Sequence, residues 1–390
     1  MANWPYVKIG DVCTVERGGS PRPIDKFITD DPNGINWIKI GDTNDSMYIT
    51  STAQKIISEG MKKSRYVQPG DFLLSNSMSF GRPYILKIDG CIHDGWLVLR
   101  DNKNTFDKRF LYYYLSSPST YRKFENMAVG GVVNNLNSEM VRGVSVPVPP
   151  MNEQLEIVGI LEQVTALISL RKQQIAKLDE LVKARFVEMF GDPVANPNGW
   201  DEFALCDVCS KLTDGTHFSP ESYTSGEYRY ITAKNIKPDG FDFTNITYVN
   251  SDVHNEIYAR CNPEYGDVLY IKDGVTTGIA MINTLHEPFT MLSSVALLKQ
   301  NRSIIDGCYL CGVLNNRHMY DSIRSDMGGA AITRLTITKL NKIIIPVPPL
   351  ALQHQFAVFA AQIDKQKLTI QHSLAKLEFL KKALMQKYFG

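Results

Sequence analysis

Short runs of polar side chains follow turn residues at matching places in the two halves of this 390-residue sequence. Their types are those that hydrogen-bond to nucleic-acid base edges: Arg and Lys suit guanine, Asn and Gln suit adenine, and Ser and Thr suit either. Loops between short strands are where binding groups concentrate. In the first half, the candidates are Arg17, Ser20 and Arg22 (loop A), Asn76, Ser77, Ser79 and Arg82 (loop B), and Asn134, Asn135 and Asn137 (loop C).

The second half carries counterparts of all three loops. They are Thr213, Asp214, Thr216 and His217 (loop A), Lys272, Asp273, Thr276 and Thr277 (loop B), and Thr333, Arg334 and Thr336 (loop C). Each residue taken singly could equally be a solvated loop residue or a turn cap. The recurrence of three loops favours DNA recognition. Because GGSPRP differs from DGTHFS, and SNSMSFGR from KDGVTTGI, the halves are expected to recognise different sequences.

Other residue patterns indicate no catalytic or metal site. The string nearest to an adenine-methyltransferase tetrapeptide, NPEY at 262–265, lacks the second proline, and no GxxxxGK[ST] loop is present. His217 has no second His or Cys at ligand spacing. The Cys206/Cys209 and Cys308/Cys311 pairs lie near 100 residues apart, far from zinc-ribbon spacing. We therefore predict no catalytic residue and no metal site in this chain.

Composition sets further bounds. With 44% hydrophobic and 21% charged residues, the chain should fold into real cores, so disorder is excluded. A net charge of +1 argues against a broad, sequence-independent DNA-coating surface. Seven cysteines, an odd number, suit a reducing compartment. The sequence opens without a signal peptide and has no apolar run of membrane-spanning length, so we expect a cytoplasmic protein with no membrane partner.

Two long segments must position the loops. PVPP at 147–150 begins a stretch that runs to Gly191, and PVPP at 346–349 begins a similar stretch ending at Gly390, 199 residues later (346 minus 147). We call each PVPP a proline clamp, since proline cannot lie inside a helix or a central strand. Beyond Gly159, neither stretch contains Gly or Pro before its end, so each is predicted to be one helix. At 1.5 Å per residue, about 38 residues span nearly 60 Å.

Apolar residues in these helices recur at alternating steps of four and three, the seam of a coiled coil. The seam is Ile157, Leu161, Val164, Ile168, Ile175, Leu178, Val182 and Met189 in the first helix, and Phe356, Ile363, Ile370, Leu374, Leu377 and Leu384 in the second. Residues 151–192 contain seven acidic and five basic residues, whereas residues 350–390 contain two acidic and six basic ones. Opposite net charges favour pairing of the unlike helices. The alternative is that each helix packs on its own domain.

The segments between the helices repeat more faintly. WPYVKIGDVC at 4–13 matches WDEFALCDVC at 200–209, and PGDFLL at 69–74 matches YGDVLY at 265–270. Each half next has a predicted helix, Asp107 to Phe124 and Asp306 to Ile323, then a glycine pair and more strand before the clamp. The repeat predicts an α+β chain of two mixed α/β domains at 1–146 and 193–345. Each is followed by a long helix, 147–192 and 346–390, and the helices pair as an antiparallel coiled coil with pseudo-two-fold symmetry.

The sequence resembles the DNA specificity subunit of type I restriction-modification systems. The resemblance covers the whole chain and rests on PVPPMNEQ at 147–154, its second copy PVPPLALQ at 346–353, GGSP at 18–21 and DGTH at 214–217. In the second clamp, Leu352 stands where the family usually has Glu, and Ser20 stands where Thr is commoner. The resemblance implies two target-recognition domains that alternate with two helical spacers.

The resemblance also implies the partners and the division of chemistry. The chain is expected to bind double-stranded DNA at an asymmetric, bipartite site and to be no enzyme by itself. Two modification subunits would bind S-adenosylmethionine and methylate adenine N6, and restriction subunits would cleave with ATP and Mg²⁺. The helices would dock the modification subunits and set the gap between half-sites. The alternative function is a duplicated-domain protein-interaction scaffold without DNA recognition, which should lack the steep salt dependence of phosphate contacts.

Overall fold

The computed structural model of the chain describes residues 4–76, 81–128, 135–325, 327 and 334–390. Two compact units are formed, residues 1–172 with 372–390 (unit 1) and residues 173–371 (unit 2). Each long helix therefore contributes one end to each unit, whereas the predicted boundaries at 147, 193 and 346 assign each helix whole.

The first half of the chain, which forms most of unit 1 and enters unit 2 through the end of its last helix, is built from short strands followed by helices. Its elements are β1 (Tyr6–Lys8), α1 (Ile9–Val12), β2 (Cys13–Arg17), β3 (Ile28–Thr29), β4 (Ile35–Ile38), β5 (Tyr48–Ile49), β6 (Gln54–Ile56), α2 (Ser58–Met61), β7 (Arg65–Val67), β8 (Phe72–Ser75), β9 (Pro83–Leu86), β10 (Gly90–Ile92), β11 (Trp96–Asp101), α3 (Lys108–Leu115), α4 (Pro118–Ala128), α5 (Ser138–Arg142), β12 (Ser145–Pro147) and α6 (Met151–Phe190), with 3₁₀ turns at Ile24–Lys26 and Ile40–Asp42.

The strands of unit 1 form two five-stranded sheets, β3-β6-β4-β10-β7 and β2-β11-β8-β9-β5, and a β1-β12 pair. Successive strand residues point to opposite faces, and both faces of β8 are buried. Phe72 and Leu74 join the core that contains Phe110 of α3, while Leu73 joins a second cluster with Trp96. The loops at the ends of β2 and β8 are thus held by a sheet that is packed on both sides.

The second half of the chain, which forms most of unit 2 and enters unit 1 through the end of its last helix, repeats this order. Its elements are β13 (Glu202–Ala204), α7 (Leu205–Val208), β14 (Cys209–Asp214), β15 (Tyr228–Ile231), β16 (Ile236–Lys237), β17 (Gly240–Phe241), β18 (Thr247–Val249), α8 (Ser251–Arg260), β19 (Val268–Ile271), β20 (Ala280–Ile282), β21 (Thr290–Met291), β22 (Val295–Gln300), α9 (Gly307–Leu314), α10 (Arg317–Ser325), α11 (Ile337–Asn341), β23 (Ile344–Pro346) and α12 (Leu350–Phe389), with a 3₁₀ turn at Ala233–Asn235.

The sheets of unit 2 are β14-β22-β19-β20, β18-β15-β21, and the β13-β23 and β16-β17 pairs. Strand β19 is again buried on both faces, with Val268 and Tyr270 in one core cluster and Leu269 and Ile271 in another. Loop B of unit 2 therefore follows a strand that is buried on both faces, as loop B of unit 1 does.

The prediction of one helix from Asp107 to Phe124 is wrong in one respect, because this segment forms two helices, α3 and α4. Pro118 begins α4 and disfavours a helical conformation at the residue before it. The helix predicted from Asp306 to Ile323 is likewise divided into α9 and α10, where the Asn316 side chain accepts a hydrogen bond from the His318 amide at 2.9 Å. The stretch before each clamp also contains a short helix, α5 or α11, in addition to the predicted strand.

The clamp glutamines attach each long helix to its unit. Gln154 is 1% exposed; its Oε1 accepts from the Asp107 amide at 2.9 Å, and its Nε2 donates to the carbonyls of Thr105 and Pro149 at 3.1 and 3.0 Å. Gln353 is 0% exposed and repeats all three bonds, to the Asp306 amide at 2.8 Å and to two carbonyls at 3.2 and 2.7 Å. Because buried polar groups require partners, this glutamine joins the clamp to the start of α3 or α9.

The long helices pair antiparallel within each unit. In unit 1, Lys172 of α6 forms an ion pair with Glu378 of α12 at 3.4 Å. In unit 2, Lys367 of α12 contacts Asp179 of α6 at 2.6 Å, and Phe186 packs on Phe356 with centroids 5.5 Å apart. Higher residue numbers in α6 thus meet lower numbers in α12.

All side chains of the predicted seam are buried or half-buried. Ile157, Leu161, Val164, Ile168, Phe356 and Ile363 are buried, and Ile175, Leu178, Val182, Met189, Ile370, Leu374, Leu377 and Leu384 are half-buried. The heptad pattern misses Phe186, Phe190, Met385 and Phe389, which are buried in the domain cores. None of the helices in the described residues combines the length and hydrophobicity of a membrane span.

Candidate nucleic-acid interface

Loops A and B of unit 1 meet around Asp94, which the sequence reasoning did not select. Ser20 Oγ donates to Asp94 Oδ1 at 2.7 Å, and Arg22 reaches Oδ2 at 3.4 Å. Arg17 Nε and Asn76 Nδ2 donate to the Asp94 carbonyl at 3.0 and 2.8 Å. The Ser20 hydroxyl lowers the pKa of Asp94 by hydrogen bonding to the carboxylate. A fourth loop, loop D (residues 93–95), therefore organises the predicted ones.

Four backbone hydrogen bonds hold these loops together in unit 1. Gly18 and Gly19 donate to the carbonyls of Trp96 and Ile92, and loops B and C are joined through Asn76. The Asn76 amide donates to Gly95 O at 2.9 Å, and Asn76 O accepts from the Leu136 amide at 3.0 Å. A Cβ at Gly18 would lie 2.1 Å from His93 O, so the backbones approach too closely for a side chain.

Unit 2 makes the same four bonds with different residues. Gly215 and Thr216 donate to the carbonyls of Val295 and Met291 at 3.3 and 2.8 Å. The Lys272 amide donates to Ser294 O, and Lys272 O accepts from the Leu335 amide, both at 2.9 Å. A Cβ at Gly215 would lie 2.0 Å from Met291 O, the counterpart of the close approach at Gly18. The frame of the four loops is thus common, while the side chains on it differ.

Charged side chains join the loops of unit 2. Lys272 is 2% exposed, and its Nζ lies 2.9 Å from Asp273 Oδ2 and 3.4 Å from Asp214 Oδ2. Asp273 Oδ1 lies 3.3 Å from Arg334 Nε of loop C. Asp214 also contacts His217 Nε2 at 3.2 Å. Loops A, B and C therefore share one ion network around a buried ammonium group.

Arg260 of α8 is a further member of this network and was missed by the sequence reasoning. Its Nη1 lies 3.7 Å from Asp214 Oδ1, and its Nη2 donates to the carbonyls of Asp214 and Gly215. Its side chain is still 50% exposed. Asp94 and Arg260 share no motif with the loops they contact, so no signal in the sequence pattern points to either.

Several of the predicted DNA contacts have buried side chains. Asn76, Asp214, Thr216, Lys272 and Thr277 are at most 3% exposed. A buried side chain cannot reach a base edge without rearrangement of the loop. These residues instead hold the loops in place. Thr277 Oγ1, for example, donates to Gly274 O at 2.7 Å.

Other candidates lie at the surface. Arg22, Arg82, His217 and Arg334 have side chains that are 81%, 47%, 57% and 57% exposed. Arg82 also contacts Asp45 at 3.3 Å and lies over the Tyr84 ring. Arg17 and Thr276 are exposed, and Ser20 and Thr213 are half-buried. Arginines with exposed N–H groups remain available for phosphates or base edges.

Asn137 and Thr336 act as caps, which is the alternative role that the sequence left open. Asn137 Oδ1 accepts from the Met140 amide at 2.9 Å, and Thr336 Oγ1 accepts from the Lys339 amide at 3.2 Å. Each therefore caps the helix that follows loop C. Asn135 is half-buried. Among the remaining candidates, Ser77, Ser79, Asn134 and Thr333 lie outside the described residues.

The NPEY string and the cysteine pairs, which the sequence analysis weighed as a methyltransferase motif and a zinc site, have structural explanations. In NPEY, Asn262 Oδ1 accepts from Lys211 at 2.9 Å, and the Glu264 amide donates to Asp267 at 2.8 Å, so the string is a turn before β19. Burial raises the pKa of the Cys209 and Cys308 thiols to about 12. Within the described part of the chain, no group of three or more His, Cys, Asp or Glu side chains is arranged to hold a metal ion.

Comparisons with known proteins agree on one family. A family model described as the type I restriction modification DNA specificity domain matches residues 1–180 and again residues 197–378. The MjaVIII type I specificity subunit of Methanocaldococcus jannaschii is 20% identical over 400 residues, covering 98% of this chain and 91% of the relative. A relative from Haemophilus influenzae, described as a putative type I specificity subunit, is 24% identical over 263 residues, covering 65% of this chain and 64% of the relative.

Two solved structures share the fold. A chain from a study of assembly and conformational transition of the type I restriction-modification system superposes with a TM-score of 0.61 at 19% identity, covering 100% of this chain and 98% of that one. The S subunit of a type I system from M. genitalium gives a TM-score of 0.56 at 15% identity, covering 100% and 96%.

Proposed function

This chain belongs to the family of type I restriction-modification DNA specificity domains, of which it carries two copies, and we propose that each copy recognises one half of a bipartite DNA target. In this proposal the chain selects the sequence and performs no chemistry itself. Adenine methylation and ATP-dependent cleavage belong to partner subunits.

One observation carries the proposal: a common loop frame bears different side chains in the two units. The backbone bonds from Asn76 to Gly95 and from Lys272 to Ser294 are both 2.9 Å long. The exposed side chains on the loops differ, with Arg22 and Arg82 in unit 1 and His217 and Arg334 in unit 2. Sequence recognition depends on side chains at base edges, whereas the frame only positions them. Two unlike sets of side chains on one frame imply an asymmetric target.

The charge distribution supports binding through local groups. The exposed arginines of the interface are each paired with a carboxylate: Arg22 and Arg82 in unit 1, and Arg260 of α8 and Arg334 in unit 2. Each carboxylate offsets part of the positive charge of its arginine. Phosphate contacts from a few exposed arginines are therefore compatible with a net charge of only +1.

The long helices are proposed to dock two modification subunits and to set the gap between the half-sites. Apolar side chains on their outer faces support docking, since Leu170 is 48% exposed, Leu368 57% and Phe379 74%. Exposed apolar side chains in such number along a helix indicate a surface that a partner covers. Each helix has 40 residues, or about 60 Å.

The cofactors follow from the same division of roles. We propose that S-adenosylmethionine binds the modification subunits, that ATP and Mg²⁺ bind the restriction subunits, and that the complex acts on DNA in the cytoplasm. We propose that most of the residues of this chain that face DNA are hydrogen-bonding and charged loop groups.

The test is an adenine-methylation map of a host without its own adenine methylases, expressing the cognate modification subunit with and without this chain. We expect N6-methylation at one asymmetric bipartite motif only when the chain is present. The same motif without the chain, or no methylated motif, would contradict the proposal. In that case, a scaffold role would be tested by the salt dependence of duplex binding, because scaffolds release no counterions from DNA.

A further inference from the structure

The tip of loop B in unit 2 carries an apolar side chain that is almost fully exposed. Val275 is 96% exposed, far more than the other exposed large hydrophobic side chains of the described residues. It lies between Gly274 and Thr276 at the end of strand β19. A single exposed valine needs no explanation by itself. Val275 differs from such a residue because it lies among groups that are proposed to bind DNA.

The turn that carries Val275 is anchored. Gly274 and Gly278 have φ values of +99° and +109°, a conformation that favours glycine. Between them, Thr277 is 0% exposed, and both its Oγ1 and its amide donate to Gly274 O, at 2.7 and 3.2 Å. The Gly278 amide donates to Ile271 O at 2.8 Å. Val275 is therefore presented on a fixed turn.

Polar and charged groups surround the base of this turn. Asp273, two residues before Val275, pairs with Arg334, and buried Lys272 joins it to Asp214 of loop A. Arg334 and Arg260 keep at least half of their side chains exposed. Contacts from these arginines to phosphates would bring base edges toward the tip of the turn.

Only one chemical group on a base edge suits a valine in this setting. The edges exposed in the major groove carry hydrogen-bond donors and acceptors, which a valine cannot satisfy, and the thymine C5-methyl group, which is apolar. We infer that Val275 contacts the methyl group of a thymine in the half-site recognised by unit 2. This inference rests on the proposed function and adds a specificity-determining residue to it.

The experiment uses the complete complex of this chain with its modification subunits and the target duplex found by the methylation map. Each thymine is replaced in turn by deoxyuridine, which removes the methyl group and keeps every hydrogen bond. Equilibrium binding is then compared for the wild-type chain and for Val275→Ala. Thymines of the half-site recognised by unit 1 serve as internal controls, because their contacts lie on that unit.

In the half-site recognised by unit 2, we expect one thymine at which deoxyuridine weakens wild-type binding about fourfold. This factor corresponds to the loss of one buried methyl group. The same replacement should change the binding of Val275→Ala less than twofold. If Val275→Ala weakens binding equally for thymine and deoxyuridine duplexes, the valine acts as a wedge or a general contact, and the inference is overturned. A second half-site with no thymine on either strand would also overturn it. Failure of the proposed function would appear earlier, as a missing methylated motif.

Discussion

Replacement of Lys272 tests whether the buried ion network holds the loops of unit 2. Lys272→Met keeps the length of the side chain and removes the charge that lies 2.9 Å from Asp273 and 3.4 Å from Asp214. Removal of one partner of a buried pair costs about 3–5 kcal/mol, because the other charge stays buried without compensation. Arg334 and Arg260 still contact the two carboxylates, so we expect the lower end of that range, about 3 kcal/mol.

Native-state hydrogen exchange is the appropriate assay, since it reports each unit separately. The amide of Leu335, which donates to Lys272 O at 2.9 Å, should open more easily by the expected free energy. The amide of Leu136, which makes the equivalent bond to Asn76 at 3.0 Å in unit 1, is the matched control and should not change. The double variant Lys272→Met/Asp273→Asn removes both charges and should recover part of the loss.

A change of less than about 1 kcal/mol at Leu335 would refute the reasoning, because it would equate Lys272 with a solvated surface lysine. An equal change at Leu335 and Leu136 would also refute it, since the effect would then be global rather than confined to unit 2.

Four further outcomes are expected. Gln353→Leu should lower the free energy of unfolding by about 3 kcal/mol in urea titration, since it leaves one buried and two partly buried backbone groups without their partner. Gly215→Ala should cost about 3 kcal/mol through its 2.0 Å backbone contact, whereas Gly41→Ala, with nothing within 4 Å, should be nearly neutral. Ser20→Ala should raise the pKa of Asp94 in carboxyl NMR titration; because the native pKa is lowered, this carboxylate stabilises the fold at neutral pH and loses its effect as pH falls through that value. Deletion of seven residues from one long helix should shorten the gap in the methylated motif or abolish methylation, and an unchanged gap would contradict a spacing role.

The sequence was sufficient for features set by local periodicity and by repetition. The 199-residue repeat of the proline clamp, the two 40-residue helices and the apolar seam follow from proline chemistry and from the spacing of apolar residues. The glycines of GGSP and DGTH also marked real constraints, since Gly18 and Gly215 lie against backbone oxygens. Such signals are local in the chain, so they survive without knowledge of the fold.

Only the tertiary structure decided which loop residues face solvent. Lys272 and Arg334 look equally suited to DNA in the sequence, yet one is 2% exposed and the other extends from the network with a 57% exposed side chain. Asp94 and Arg260 enter the site from elements that no motif marks, because they meet the loops through contacts 18 to 77 residues apart in sequence. Burial and long-range contact depend on how strands and helices pack, and residue type and spacing do not encode them locally.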